Sequence, residues 1–183
     1  MRTMLYFDDL IKRYEEEKEW DKSLIYLEEL YKKKKSIETL NSLVGFSWYY
    51  LIEGPIDSKK YEKDENKLPL EIWQKYLEFG LQKHIEEPTF CFIAGYTLLL
   101  HGFFMQKFQD NYREQAIILI NKAYLNSNDN LKKIAKNILS KEEGGKRNNN
   151  NYLGKDIIKI VFNSESLLDK YFVEVLSFES LKK

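Results

Sequence analysis

Residues 90–130, FCFIAGYTLLLHGFFMQKFQDNYREQAIILINKAYLNSNDN, decide the fold. They read as a strongly apolar helix, a turn and a second helix with small residues at fixed positions. In the second helix Ala116, Ile120, Ala123 and Asn128 follow the spacing A-x3-bulky-x2-A-x4-turn residue. Alanines on one stripe let a neighbouring helix approach closely, and the bulky residue between them fills the gap, so the stretch predicts a helical hairpin. Gly95 fits the same picture, because a glycine inside a helix costs about 1 kcal/mol relative to alanine and close contact with another helix accounts for it. The apolar run from Phe90 to Phe104 spans 15 residues, about 22 Å as a helix against a hydrocarbon core of about 30 Å. With His101 interrupting it, the run is expected to be a buried central helix rather than a membrane span.

Working towards the N-terminus, residues 4–19 place Leu5, Leu10, Ile11 and Tyr14 near one helical face. Asp21 offers an N-cap for DKSLIYLEELYKKKK, with Leu24, Leu27, Leu30 and Tyr31 inward and a lysine run at the carbonyl end, where positive charge is favourable. Ser36 opens a third helix that Gly54 and Pro55 stop. This helix is apolar on two sides: Ile37, Leu40, Val44, Ser47, Trp48 and Leu51 share one, Phe46, Tyr50 and Glu53 lie away from it, and Tyr49 is opposite. It is either enclosed between neighbours or lends one side to a partner. Residues 54–68, GPIDSKKYEKDENKL, read as the longest internal loop, and Pro69 falls in the first turn of a fourth helix with Leu70, Trp73, Leu77 and Gly80 along one face. Thr89 is expected to cap the central helix.

Towards the C-terminus, Asp110 is expected to cap a helix running through Leu125, and residues 130–140 place Leu131, Ile134, Ala135 and Ile138 inward. Residues 141–151, KEEGGKRNNNN, lack apolar residues and periodicity and predict a flexible loop. Residues 152–162 are β-branched, but a lone strand has no partner elsewhere in the sequence, which favours a helix. Ser164 is expected to cap the last helix, whose stripe of Leu167, Leu168, Tyr171, Phe172, Val175 and Leu176 should dock onto the final hairpin and close the array. The fold expected is all-α: one domain over residues 1–183, an array of antiparallel helical hairpins with about eight helices.

Composition narrows the function classes. Lys plus Arg equals Asp plus Glu, 29 against 29, so no global field points to nucleic acid or a membrane surface. The single Cys91 cannot form an internal disulfide, which suits a reducing compartment. The first residues carry acids by position 8 and lack an apolar core of the kind a signal peptide needs. Catalysis needs a nucleophile beside a base, a metal or paired carboxylates in a pocket. Only His84 and His101 are present, with no H-E-x-x-H, no C-x-x-C and no phosphate-binding glycine loop. The reading is a non-enzyme with no metal or cofactor.

Charge is nonetheless uneven. Residues 36–88 hold 10 acids and 6 bases, whereas residues 89–151 hold 5 acids and 9 bases. The acidic third carries Tyr49, Tyr50, Glu53, Asp57, Glu62, Asp64 and Glu65, a set suited to a basic protein partner, since aromatic anchors ringed by charge give affinity and fast association. An ordinary solvated helix surface is the plain alternative.

The A-x3-I-x2-A spacing resembles the second helix of a tetratricopeptide-type hairpin in degenerate form. More broadly, WYYLIEG at 48–54, F-x-F-I-A-G-Y-x-L-x-L at 90–100 and the segment from Ala116 to Asn130 resemble small all-helical immunity proteins of bacterial contact-dependent growth inhibition and related polymorphic toxin systems, those that partner EndoU-like ribonuclease toxins. The likeness covers residues 36–140, and Asn128 stands where the repeat usually has proline. It implies a cytoplasmic inhibitor that binds a cognate toxin nuclease domain and blocks its active site. The rival expectation is a tetratricopeptide-like adaptor that binds a peptide in a concave groove.

Overall fold

A computed structural model describes residues 4–54, 67–104, 110–142, 153–163 and 165–181. Among the described residues there are nine α-helices, one 3-10 turn and no strand: α1 (Asp9–Glu16), α2 (Trp20–Lys34), α3 (Ile37–Glu53), α4 (Lys67–Lys83), α5 (Pro88–His101), the 3-10 turn Gly102–Phe104, α6 (Tyr112–Asn126), α7 (Asp129–Glu142), α8 (Lys155–Val161) and α9 (Leu167–Leu181). The fold is an all-α array. The β-branched segment near 152–162 is helical as α8. No helix among the described residues is long and apolar enough to cross a membrane.

The hairpin at residues 90–130 is α5 against α6. A Cβ built at Gly95 would lie 2.8 Å from Ile120 Cγ1 and 3.0 Å from the Ala116 carbonyl oxygen, and one at Gly102 would lie 2.6 Å from Tyr112 Cβ. Position 95 thus faces 116–120 while position 102 faces 112, so the two helices are antiparallel. The absence of a side chain at Gly95 is what sets their separation. Ala116, Ile120 and Ala123 are fully buried at this contact.

The third helix is enclosed. Every residue from Thr39 to Trp48 is buried. Asn41 Nδ2 donates to Thr89 Oγ1 at 3.0 Å and Trp48 Nε1 donates to His101 Nδ1 at 3.2 Å, so α3 runs alongside α5 in the same direction. On its other side Trp20, opening α2, packs on Phe46 and Tyr50 near the end of α3. Between α2 and α4, Glu28 accepts from Lys75 Nζ at 2.6 Å and from the Tyr76 hydroxyl at 3.0 Å, and Lys32 pairs with it one turn on at 3.0 Å. Burial alone would raise the Glu28 carboxyl, but these donors pull it down to about 2.

Several boundaries differ from the sequence expectations, each for a local reason. A helix over residues 4–19 is replaced by α1 alone, because residues 4–7 are taken up by α3: Tyr6 N–H donates to Ser42 Oγ at 2.7 Å and Asn41 Nδ2 to the Met4 carbonyl at 3.0 Å. Asp8 caps α1 instead, accepting from Leu10 and Ile11 N–H and from the Tyr6 and Tyr26 hydroxyls. Glu19, not Asp21, is the N-cap of α2, which lets Trp20 enter the core. Thr89 does not cap α5; Pro88 occupies the first position, where its missing N–H costs nothing, after Glu87 as N-cap. Asn111, not Asp110, precedes α6. Ser36 does cap α3, accepting from Thr39 N–H at 3.2 Å. The loop expected at 141–151 lies outside the described residues except for Lys141 and Glu142, which end α7, and the Ser164 cap also lies outside them.

The largest departure concerns the tail. The sequence places its stripe on the final hairpin, yet α9 packs on α8 and α3 and reaches α5 through Phe172 on Tyr96. Leu168 fills the notch at Gly45, where an added Cβ would come within 2.7 Å of Leu168 Cδ2. Phe172, fully buried, stacks on Trp48 at 6.1 Å and packs on Tyr96 at 5.6 Å, with Phe162, the C-cap of α8, at 4.6 Å. A long aromatic stripe gains more by filling a notch between two parallel helices than by covering one helix edge, because close-packed contacts surround it on both sides.

Candidate protein-interaction surface

The C-terminal turn of α3, the C-terminal end of α5, the following 3-10 turn and the middle of α9 come together at one end of the array. Of the sequence-expected set, Tyr49, Tyr50 and Glu53 lie here, while Asp57, Glu62, Asp64 and Glu65 fall outside the described residues.

Tyr49 is half-buried rather than projecting. Its ring stacks on Trp20 at 5.4 Å and lies 5.1 Å from Tyr171 of α9. Burial, with the carboxylates of Glu53, Glu15 and Glu174, pushes its phenol up to about 12. Tyr50 ties the end of α3 to the start of α2, its hydroxyl donating to Asp21 Oδ1 at 2.6 Å while its ring meets Trp20 edge-on. Glu53 is exposed on the last turn. Both tyrosines therefore serve the packing of three helices as well as the surface, which explains why they sit off the main apolar stripe of α3.

Sequence reasoning did not place His101, Phe103 and Phe104 in the site. His101 ends α5, accepts the Trp48 indole N–H on Nδ1, and stacks on Phe104 at 5.9 Å with an interplanar angle of 11°. Phe103 and Phe104 are 4.4 Å apart and stand 49% and 43% exposed, unlike the enclosed aromatics behind them. Because an indole N–H only donates, Nδ1 of His101 must be the unprotonated nitrogen. Burial lowers the His101 pKa, opposed by the nearby Glu53 carboxylate, which raises it. The available signal was the pair of phenylalanines directly after a helix-ending glycine, where no periodic face remains to bury them. Cys91, in contrast, is wholly enclosed, its thiol donating to the Ile85 carbonyl at 3.0 Å and pushed up by burial to about 11.

No protein-family model, no curated protein and no solved structure matches this chain.

Proposed function

We propose that this chain is an immunity protein that binds a cognate toxin nuclease domain in the cytoplasm and blocks its active site, with no catalysis of its own. The resemblance over residues 36–140 supports the reading, and so does the end of α3, where the exposed Glu53 carboxylate acts on the half-buried Tyr49 and on His101, the ring that backs the exposed Phe103 and Phe104. That combination is the observation that carries it: aromatic area for affinity, with acid for a basic nuclease cleft that normally holds RNA phosphates. The rival, a tetratricopeptide-like adaptor with a peptide groove, would instead bind several short peptides and tolerate charge reversal over residues 54–68.

The test is copurification with the toxin domain encoded by a neighbouring reading frame. Reversing Glu53, Asp57 and Glu62 together to lysine should weaken that complex by about 2 kcal/mol or more while leaving folding unchanged. An unaltered affinity would move the interface elsewhere on the molecule.

A further inference from the structure

The Phe103–Phe104 corner pairs two adjacent, partly exposed rings with a base that is fixed. Trp48, fully buried, holds His101 through the indole hydrogen bond, and His101 in turn backs Phe104 in a near-parallel stack. Phe103 lies against both rings, 5.8 Å from His101 and 4.4 Å from Phe104. The two exposed rings therefore sit on an ordered support, so little side-chain freedom is left to lose when something docks on them.

Among the described residues, carboxylates act on the groups behind this corner. The charge that acts on His101 is Glu53, and the carboxylates acting on the neighbouring Tyr49 are Glu53, Glu15 and Glu174. Burial disfavours the charged form of His101, against the pull of Glu53. Next to the corner, Tyr112 packs on Gly102 and lines an open cleft of about 470 Å³ whose walls include Asp110, Glu114 and Ile118. Arg113 of the same cleft is bound to Glu142. Exposed ring faces carry negative charge at their centres and attract cations, and a planar guanidinium both stacks on such a face and pairs with a carboxylate.

We propose that Phe103, Phe104 and Glu53 form a receptor for an arginine side chain projecting from a basic protein partner. The proposal rests on the immunity reading for the identity of that partner, but the receptor chemistry stands by itself. The guanidinium would lie on the exposed phenylalanine rings, with the Glu53 carboxylate supplying the counter-charge.

The experiment uses the full chain and hexa-arginine as the probe, followed by NMR titration of the aromatic resonances, with hexa-lysine and hexa-glutamate as controls. Hexa-arginine should bind saturably, shift Phe103, Phe104 and His101, and lower the titration midpoint of His101 as a cation arrives beside it. Phe103→Ala with Phe104→Ala should weaken binding at least tenfold, and Glu53→Gln about threefold. Circular dichroism should show the double variant still folded at the titration temperature, so that lost binding reads the rings and not unfolding. Hexa-lysine should bind more weakly, and hexa-glutamate not at all. Equal binding of all three peptides, binding indifferent to the phenylalanine substitutions, or self-association through the corner seen by sedimentation would each overturn the receptor. The two readings separate cleanly. Hexa-arginine binding without a toxin complex would keep the receptor and remove the immunity reading. A toxin complex indifferent to the phenylalanine substitutions would do the reverse.

Discussion

Replacing Glu15 with glutamine is expected to flatten the pH dependence of stability, through the way α1 holds the start of α9. Glu15 is 7% exposed, and its Oε2 accepts the N–H of Leu167, the first residue of α9, at 2.9 Å. Burial pushes this carboxyl from 4.5 up to about 7; the Leu167 amide and Lys170 oppose the rise and Asp169 adds to it. The folded chain holds the proton more tightly than the unfolded chain does. The stabilisation from protonation is therefore complete below the unfolded value and is lost as pH rises through about 7. The interval between 4.5 and about 7 corresponds to a change on the order of 3 kcal/mol between acid and mildly alkaline solution. Glutamine keeps an acceptor for the Leu167 amide but carries no charge at any pH. Urea unfolding at pH 4 and pH 8, followed by tryptophan fluorescence, should show the variant gaining about 3 kcal/mol on the wild type between those conditions. Other titrating groups, Asp8 and Glu28 among them, cancel in the comparison. Parallel pH profiles, or a variant that loses ground as pH rises, would refute this reasoning.

Three further outcomes follow from the packing. Gly95→Val should destabilise the protein by about 2 kcal/mol or more, because the new side chain meets Ile120 and the Ala116 backbone and must separate α5 from α6, readable as a lower denaturation midpoint. Asp8→Ala removes the acceptor for two helix N–H groups and two tyrosine hydroxyls. It should cost about 1–2 kcal/mol at neutral pH, and less in acid, since these donors hold the Asp8 carboxyl below its ordinary value despite the opposing effect of burial. Cys91 should resist alkylation by iodoacetamide at pH 8 in the folded chain and react promptly in urea; fast labelling of the native protein would contradict its burial and its raised thiol pKa.

The fold was largely readable wherever spacing alone decides burial. Ala116, Ile120 and Ala123, the stripe Leu131, Ile134, Ala135 and Ile138, and the close approach at Gly95 are all local patterns, and each is buried as its period requires. Helix ends were less readable, because several residues can cap and tertiary contacts choose among them: Ser42 and Asn41 draw residues 4–7 out of α1, and burial of Trp20 starts α2 early. The destination of α9 was not readable. Its stripe specifies that a partner is needed but not which, and only the juxtaposition of Gly45, Trp48 and Tyr96 in space creates the site that Leu168 and Phe172 fill. The candidate surface divides in the same way. Glu53 and the two tyrosines stand out by their place on α3, whereas His101, Phe103 and Phe104 become a surface only when Trp48 anchors the end of α5.

The most direct measurement is to mix the purified chain with the toxin domain encoded beside it and record both complex formation and ribonuclease activity. A stable one-to-one complex without nuclease activity is expected, lost or weakened when Glu53, Phe103 and Phe104 are replaced together. A toxin domain that stays fully active and elutes separately would contradict the immunity reading.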